Sequence, residues 1–340
     1  MSDKYIDQMN FDANTIDECF SNFNMDVVVT SGVKGNTNFK YKLNIGKGVK
    51  LKKVEELAIE LALALGKKHV RFSKDKGSLF LEVPSDDQTS NRLLETLNKN
   101  PKAPKFCAVL GNDADNNPLL LRLTSPDVVH CLISGQTGSG KTILMRSMIV
   151  SLAYYNSPKD IRFLLLDIKS RGLTPLKDIP HVVKNKVIVD PDEACFALLE
   201  VVSEMERRDR AKIDIPKIVI VIDELADLII QKGDDILTPL TRLSQRGRES
   251  GIHLILGTQK ANAQLIGSLV KCNIPIKLVG SVASKNEAAY ATGVANSGAE
   301  KLTGKGDFLL VKSGDIIRFK AAFLDSKDYN ILLNRINGES

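Results

Sequence analysis

Short apolar runs alternate with longer amphipathic segments over the greater part of the chain. The clearest runs are rich in β-branched residues and span 128–134, 162–167, 217–223 and 252–258. Each is followed by a longer helix-like or loop segment, for example the one that begins at Thr142. Near-continuous apolar strands separated by helices are typical of a parallel sheet covered on both faces. The pattern therefore predicts an α/β domain with a mostly parallel sheet over residues 105–330.

A different pattern precedes this domain. Residues 27–84 contain β-rich runs at both ends and an amphipathic helical stretch, residues 53–66, between them. Leucines recur at every fourth position of that stretch and Gly66 ends it, as in a helix with one buried face. The order strand, strand, helix, strand, strand predicts a small α+β domain over residues 27–84.

The flanking and connecting segments are polar. Residues 1–26 carry six acidic residues and one lysine, and they predict an acidic N-terminal tail or a short amphipathic element. Residues 85–104 contain two prolines and predict a connector with a short helix. Residues 331–340 predict a C-terminal tail.

Composition narrows the class of protein. The 340 residues are 43% hydrophobic and 26% charged, which suits a chain with a buried core and excludes a wholly disordered one. No apolar run reaches the ~18 residues of a membrane helix, and the first twenty residues lack an apolar signal core. The five cysteines lie far apart, without the spacing of metal ligands. These features predict a reduced, cytoplasmic protein with no membrane segment.

The positive charge is concentrated near the N-terminal side of the chain. The net charge is only +6, but residues 33–76 carry twelve lysines and arginines against four acids. Such a block can face a polyanion such as nucleic acid, or it can form an ordinary solvated surface. Charge alone does not decide between the two.

The most specific segment is residues 135–142, GQTGSGKT, which fits GxxxxGK[ST] at every fixed position. Backbone N–H groups that curl around a β-phosphate require glycines in this loop, and the following helix N-terminus favours an anion. Lys141 can then reach the β and γ oxygens, and Thr142 can ligate Mg²⁺. The alternative is a glycine-rich turn that binds nothing. The predicted ATP and Mg²⁺ site comprises Gly135, Gln136, Thr137, Gly138, Ser139, Gly140, Lys141 and Thr142.

A carboxylate pair follows the apolar strand at 217–222. Asp223 stands where it can hold Mg²⁺ through water, and Glu224 is a candidate general base for the attacking water. The alternative is that either acid only caps the next helix. A further strand between the loop and this pair, together with Glu224, favours a RecA-like ATPase over a small-molecule kinase or a Ras-like GTPase. Gln259, after the strand at 252–258, is a candidate sensor of the γ-phosphate.

Three arginines, Arg242, Arg246 and Arg248, stand immediately before that last strand. An arginine that reaches a neighbouring subunit's nucleotide can stabilise transition-state charge. The alternative is a basic helix end that favours the helix dipole. We select Arg248 as the candidate.

Several segments together resemble the motor domain of the FtsK/SpoIIIE family of DNA translocases. They read GQTGSGKT, FLLLDIKSRGLTPLKDIPHVV, EVVSEMERRDR, IVIVIDELADL, RGRESGIHLILGTQ and IKLVGSVASKNEAAYATG. Upstream, YKLNIGKGVKLKKVEELAIELALAL resembles the small α domain that precedes the family's RecA-like β domain. Downstream, KGDFLLVKSGDIIRFKAAFLD resembles the end of that motor. The likeness covers about residues 30–328.

The resemblance implies a fold, an activity and a set of partners. The fold is a RecA-like P-loop NTPase, and the activity is ATP hydrolysis in a hexameric ring that threads double-stranded DNA. The motif positions assign nucleotide binding to residues 135–142, the Mg²⁺ and base roles to Asp223 and Glu224, and the sensor position to Gln259. Arg248 falls where the family has an arginine just before the strand. The family's pore loops make three lysines candidate DNA contacts: Lys232, Lys260 and Lys271.

The chain also departs from the family's chromosomal members. We expect neither a membrane anchor before the α-like domain nor a winged-helix domain after the motor, and Asp167-Ile168-Lys169 stands where the resemblance leads us to expect Asp-Pro-Lys. We therefore expect a stand-alone motor of a plasmid, an integrative element or a conjugation system. Two alternatives stay open. One is the ATPase of a secretion or conjugative coupling machine; the other is a replication or partition factor that uses ATP as an assembly switch and holds DNA statically.

Overall fold

The computed structural model describes residues 3–35, 38–75, 77–85, 91–259 and 273–338. These residues form two compact units. The first comprises Met1–Thr89 with Asp113–Asn117, and the second comprises Ser90–Asn112 with Pro118–Ser340.

The smaller unit has an antiparallel sheet covered on one face by helices. Its strands are β1 (Val27–Lys34), β2 (Asn38–Ile45), β3 (Arg71–Asp75) and β4 (Ser78–Pro84), in the order β1-β2-β4-β3. Its helices are α1 (Asp3–Asn22), α2 (Leu51–Glu56) and α3 (Ala58–Ala64). The single helix predicted at 53–66 is two short helices that meet at Leu57, whose backbone is the C-cap of one and the N-cap of the other.

Helix α1 corrects the interpretation of residues 1–26 as a tail. Ile16 and Phe20 on this helix are fully buried in the small core together with Tyr41. The Tyr41 hydroxyl donates a hydrogen bond of 2.7 Å to the buried carboxylate of Asp12. Asp17 accepts one of 2.7 Å from the backbone N–H of Val29. Acidic residues of α1 therefore help to dock the helix. For this reason the acidic composition of residues 1–26 did not indicate that the helix also has a buried apolar face.

The larger unit contains, within the described residues, a sheet of ten strands. Their bounds are β5 (Cys107–Asp113), β6 (Pro118–Arg122), β7 (Cys131–Ser134), β8 (Ile161–Leu166), β9 (Val182–Ile188), β10 (Lys217–Ile222), β11 (Ile252–Thr258), β12 (Ile276–Val279), β13 (Asp307–Lys312) and β14 (Asp315–Ala321). The strand order is β6-β5-β14-β13-β12-β7-β11-β10-β8-β9. Strands β12, β7, β11, β10, β8 and β9 are parallel to their neighbours in this run. The predicted α/β fold with a mostly parallel sheet is confirmed, with an antiparallel extension through β13 and β14.

Helices cover both faces of this sheet. They are α4 (Leu93–Lys99), α5 (Lys141–Tyr155), α6 (Pro191–Ala211), α7 (Leu225–Lys232), α8 (Asp234–Arg246), α9 (Lys285–Thr292) and α10 (Ser326–Asn337). One core contains buried residues of α4, α5 and α10, a second contains those of α6, α7 and α8, and a third, smaller one contains those of α9. The interior parallel strands β7 and β11 are buried along their whole length, as expected where both faces of a strand are covered, whereas β9, at the end of the sheet, exposes its middle residues.

Helix α10 also corrects the C-terminal boundary. It begins at Ser326, inside the predicted motor range, and continues through most of the predicted tail at 331–340. Leu332 is fully buried in the same core as α5. Asp325 caps this helix by accepting a hydrogen bond of 2.7 Å from the backbone N–H of Asp328.

The helices of the described residues bear on whether the chain could cross a membrane. None of them combines the length and the apolar character that crossing a bilayer requires.

We predict that α1 contributes to stability through its buried face. Phe20 is fully buried and Phe11 is 64% exposed on the same helix. Phe20→Ala is expected to lower the free energy of unfolding by about 3–5 kcal/mol because it leaves a cavity. Phe11→Ala, the matched control, should cost less than about 0.5 kcal/mol. Urea denaturation of both variants measures the difference, and equal losses would contradict the docked helix.

Candidate functional site

The phosphate-loop motif lies at the edge of the sheet where the parallel strands end. β7 ends at Ser134 and α5 begins at Lys141, so residues 135–140 form the connecting loop. The loop is held by the last residue of β11 and by a residue that follows β12. Gly135 donates to the carbonyl of Thr258 at 3.3 Å, and Gln136 donates to that of Ser281 at 2.9 Å. Polar groups at the carboxyl ends of parallel strands therefore converge on this loop.

Two of the loop glycines are required by the backbone. Gly138 has φ +85° and Gly140 has φ +99°, a region that other residues rarely adopt. A Cβ on Gly140 would also lie 2.8 Å from the backbone nitrogen of Gly306. The loop therefore has the tight, glycine-dependent shape expected of a phosphate cradle.

Lys141, the first residue of α5, points its ammonium at the two predicted acids. The side chain is buried, and its Nζ donates to the backbone carbonyl of Asp223. The carboxylates of Asp223 and Glu224 each lie 3.4 Å from the same nitrogen. One buried cation thus joins the loop after β7 to the segment after β10.

Asp223 also contacts the next residue of the loop helix. The Thr142 hydroxyl donates to Oδ1 of Asp223 at 3.3 Å. A hydroxyl and a carboxylate are both hard oxygen donors, which is the ligand type that Mg²⁺ prefers. Gly172 makes room for this carboxylate, because a Cβ there would lie 2.5 Å from Oδ2 of Asp223.

Glu224 is held by the residue predicted as a sensor. The backbone N–H of Gln259 donates to both carboxylate oxygens of Glu224, at 3.0 and 3.2 Å. The side-chain oxygen of Gln259 accepts a hydrogen bond of 3.1 Å from the Thr137 hydroxyl. Gln259 therefore connects the candidate base to the phosphate loop. Glu224 is the N-cap residue of α7 but makes no side-chain capping bond, so its carboxylate faces the site instead of the helix.

Two residues near the pair were not selected from the sequence. Asp167 follows β8 and is buried; its Oδ2 accepts hydrogen bonds from the N–H groups of Gly172 at 2.7 Å and Leu173 at 2.8 Å. Lys169 forms an ion pair of 2.6 Å with Asp227. That hydrogen bond is the main cause of a raised Lys169 pKa, with Glu224 and Asp223 adding negative charge. The sequence feature that indicated Asp223, an acid directly after an apolar parallel strand, is also present at Asp167.

The three candidate arginines have different surroundings. Arg242 forms an ion pair with Glu206, and Arg246 forms one of 2.7 Å with Asp209. Arg248 is exposed and, within the described part of the chain, its guanidinium has no hydrogen-bond or ion-pair partner. Of the three, Arg248 is therefore the one whose charge is not engaged by a carboxylate among the described residues of its own chain.

The candidate DNA contacts are only partly described. Lys232 ends α7 and forms an ion pair with Asp192. The hydrogen bond to Asp192 raises the Lys232 pKa. Lys260 and Lys271 lie outside the described residues.

Two family models match this chain. The model of the FtsK/SpoIIIE family matches residues 92–214 and 209–263, and the model of the FtsK alpha domain matches residues 2–85. The chain belongs to the FtsK/SpoIIIE family. The resemblance inferred from the motifs is confirmed, and the alpha-domain match includes α1.

Curated relatives extend the similarity over nearly the whole chain. A DNA translocase FtsK of Staphylococcus epidermidis is 31% identical over 353 residues, which cover 94% of this chain and 44% of that protein. The DNA translocase FtsK of Listeria monocytogenes is 30% identical, over 98% of this chain and 48% of that protein. The chain therefore spans less than half the length of these relatives.

Solved structures share the fold. The conjugation coupling protein TcpA of pCW3, in its monomer form with ATPγS, aligns with a TM-score of 0.64 at 18% identity, over 97% of this chain and 99% of that one. The cytoplasmic domain of the type VII secretion ATPase EccC from Thermomonospora curvata aligns with a TM-score of 0.59 at 23% identity. That alignment covers 68% of this chain and 31% of EccC. At these identities the likeness establishes the fold.

We predict that Gly172→Ala disturbs the site through Asp223. The added methyl group must displace a carboxylate whose Oδ2 would lie 2.5 Å away, so Mg²⁺-dependent nucleotide affinity should fall roughly tenfold. Titration with a fluorescent nucleotide with and without Mg²⁺ measures this loss. The control is a double-mutant cycle with Asp223→Asn, in which the two losses should not add. Full additivity would argue against an effect through Asp223.

Proposed function

We propose that this protein hydrolyses ATP and uses the energy to move double-stranded DNA through an oligomeric ring, as a hexamer. The observation that carries the proposal is the convergence of Lys141, Asp223, Glu224 and Gln259 beside the phosphate loop. Membership of the FtsK/SpoIIIE family supports DNA as the substrate of the motor.

ATP binding is assigned to residues 135–142. The glycine-shaped loop and the N-terminus of α5 offer N–H groups and a positive dipole end to the β-phosphate. The Lys141 ammonium would exchange a carboxylate partner for phosphate oxygens. Thr142 and Asp223, whose oxygens lie 3.3 Å apart, would hold Mg²⁺, which neutralises charge on the phosphates when bound.

Hydrolysis is assigned to Glu224. Its carboxylate is fixed by the N–H of Gln259 and lies next to the Lys141 ammonium, so it can orient a water molecule towards the γ-phosphate and accept its proton. Glu224 is buried. Burial favours its role as a base, because bulk water is kept away from the carboxylate and does not compete with the one attacking water molecule.

Coupling to DNA is assigned to the segment that follows Gln259. This residue holds Glu224 through its N–H and the phosphate loop through its side chain, so a change at the γ-phosphate acts on the start of residues 260–272. Lys260 and Lys271 in that segment, together with Lys232, are the proposed contacts to DNA phosphates. Such contacts are independent of sequence and weaken with salt.

The biological setting that we propose is that of a stand-alone motor of a plasmid, an integrative element or a conjugation system. Its partner proteins would then be those of the transfer or replication machine. The fold shared with the coupling protein TcpA over 97% of this chain is consistent with this setting. A second candidate function is that of an ATPase which recruits substrates to a secretion or coupling machine, as the fold shared with EccC allows. Movement on bare DNA distinguishes the motor from this candidate and from a static, ATP-switched replication or partition factor.

We predict that duplex DNA stimulates ATP hydrolysis and that Glu224→Gln abolishes it while preserving ATP binding. The amide keeps an oxygen that can accept from Gln259 but is not a base, and loss of a general base costs on the order of 10²–10⁴-fold in kcat. Phosphate release and triplex displacement measure hydrolysis and movement.

The matched control is Glu249→Gln, because Glu249 is exposed and should retain the wild-type rate. Lys141→Ala is expected to lose nucleotide binding; a melting curve must accompany it because the change also unpairs buried acids. Two results would contradict the translocase proposal: a wild-type rate of ATP hydrolysis that is the same with and without duplex DNA, or hydrolysis without triplex displacement.

We predict that Arg248→Ala lowers kcat by about 10³-fold or more without weakening ATP binding, if it completes a neighbour's site. Arg246→Ala is the control, because its charge is engaged by Asp209. Mixing Arg248→Ala chains with Lys141→Ala chains should restore part of the activity, since some sites then combine an intact loop with an intact arginine. No recovery on mixing would count against action between subunits.

A further inference from the structure

A turn far from the phosphate loop in sequence is bonded directly to that loop. Residues 303–306, TGKG, precede β13, and we call them the β13 turn. The N–H of Lys305 donates to the carbonyl of Gly138 at 2.9 Å, and the N–H of Gly306 donates to that of Ser139 at 2.7 Å. Two consecutive carbonyls of the loop are therefore fixed by the β13 turn.

Fixing these carbonyls also directs the N–H groups of the loop. In a trans peptide the C=O and N–H bonds point in opposite directions. The Gly138 carbonyl faces the β13 turn, so the N–H of Ser139 points the other way. There it donates a hydrogen bond of 3.0 Å to the backbone carbonyl of Gln136. The Ser139 carbonyl in the same way directs the N–H of Gly140 away from the turn. The β13 turn thus fixes the peptide orientations on which a phosphate cradle depends.

The β13 turn has an unusual backbone. Gly304, Lys305 and Gly306 have φ values of +73°, +50° and +92°, so three consecutive residues lie in the left-handed region. A lysine there is strained, and such conformations persist where the surroundings enforce them.

The fully buried side chain of Asp307 holds the β13 turn in this conformation. Its carboxylate accepts hydrogen bonds from the N–H and the hydroxyl of Thr303, at 3.0 and 3.1 Å. It also accepts from Nε and Nη2 of Arg318 on β14, at 2.9 and 2.8 Å. Burial tends to raise the Asp307 pKa, but the charge and hydrogen bonds of Arg318 hold it below its ordinary value. A two-pronged ion pair of this kind fixes geometry as well as charge.

Strand β14 makes further contacts to the same assembly. Nζ of Lys320 donates to the carbonyl of Lys305 at 2.8 Å. The N–H of Ala321 donates to the carbonyl of Gly306 at 2.7 Å. Directly after the strand, the carbonyl of Ala322 accepts a hydrogen bond of 2.8 Å from Ser147 on α5. The hairpin β13–β14 therefore supports both the phosphate loop and the helix that follows it.

We propose that Asp307 and Gly306 are positioning residues for nucleotide binding: the ion pair Asp307–Arg318 holds the β13 turn, which sets the shape of the phosphate loop. The proposal rests on the proposed function, in which this loop binds ATP. It assigns to the antiparallel end of the sheet a role in nucleotide affinity, separate from the hydrolytic residues after β10 and β11.

The chain offers a matched pair of glycines for the test. Gly306 and Gly314 lie at opposite ends of β13 and both have φ +92°. A Cβ on Gly306 would have its nearest neighbour at 3.6 Å, and one on Gly314 would have none within 4 Å. Gly306→Ala and Gly314→Ala therefore introduce similar backbone strain with no clash, but only the first is at the phosphate loop.

We expect Gly306→Ala to weaken the binding of a fluorescent ATP analogue roughly tenfold and to raise the KM for ATP with less change in kcat. Gly314→Ala should bind within about twofold of wild type, since surface strain alone does not reach the loop. Melting curves should show similar shifts for the two variants. Equal nucleotide affinities in the two variants would overturn the proposal.

A second, milder pair of substitutions tests the hydrogen bonds by which Asp307 holds the β13 turn. Thr303→Val removes one hydroxyl donor to Asp307, and Thr124→Val is its control, because Thr124 Oγ1 is a buried hydroxyl without a partner among the described residues. We expect a two- to fivefold loss of affinity for Thr303→Val alone, in keeping with about 0.5–1 kcal/mol for one hydrogen bond. Wild-type protein that binds no nucleotide would overturn the proposed function along with this proposal; wild-type binding that neither Gly306→Ala nor Thr303→Val weakens would overturn this proposal alone.

Discussion

The buried ammonium of Lys141 is the contact on which the arrangement of the site depends. It comes from the loop after β7 and reaches the acids after β10, although β11 lies between these two strands. The contact requires that all three strands run parallel and end together, as their registers show. It also requires a residue without a side chain on β11, because a Cβ on Gly257 would lie 2.4 Å from the carbonyl of Asp223. Fold and chemistry therefore depend on the same few positions.

The charges of this cluster explain why binding and stability are connected there. One cation faces two buried carboxylates, and removing one partner from a buried ion pair costs about 3–5 kcal/mol. An incoming triphosphate adds further negative charge, which the loop N–H groups and the N-terminus of α5 can balance. A substitution of Lys141 therefore changes the folded state as well as the affinity, whereas a substitution of Glu224 by its amide removes one negative charge and leaves the cation paired.

Sequence patterns predicted the parts of the fold that have a local signal. Unbroken apolar strands and the GxxxxGK[ST] motif located the parallel sheet, the loop and the acids, because each depends on residues close together in the chain. They left residues 1–26 as an acidic tail or a short amphipathic element, whereas the acids of α1 dock that helix against Tyr41 and Val29, and they placed one helix where two meet at Leu57. The space that Gly172 leaves for Asp223, and the bonds of the β13 turn, join residues that are distant in sequence. Periodicity carries no information on such pairs.

The two sides of β7 differ in a way that bears on how hydrolysis could cause movement. On the β12 side, Gly280 donates to the carbonyl of Ser134 at 2.7 Å, and the β13 turn holds the carbonyls of Gly138 and Ser139. On the β11 side, the Gln259 N–H donates to the carboxylate of Glu224, the candidate base, and the Gln259 side chain accepts from Thr137 of the phosphate loop. The single side-chain hydrogen bond between Gln259 and Thr137 of the phosphate loop can rearrange at lower cost than the two backbone hydrogen bonds from the β13 turn. Under the proposed function, a change at the γ-phosphate is therefore expected to leave the phosphate loop in place and to act through Gln259.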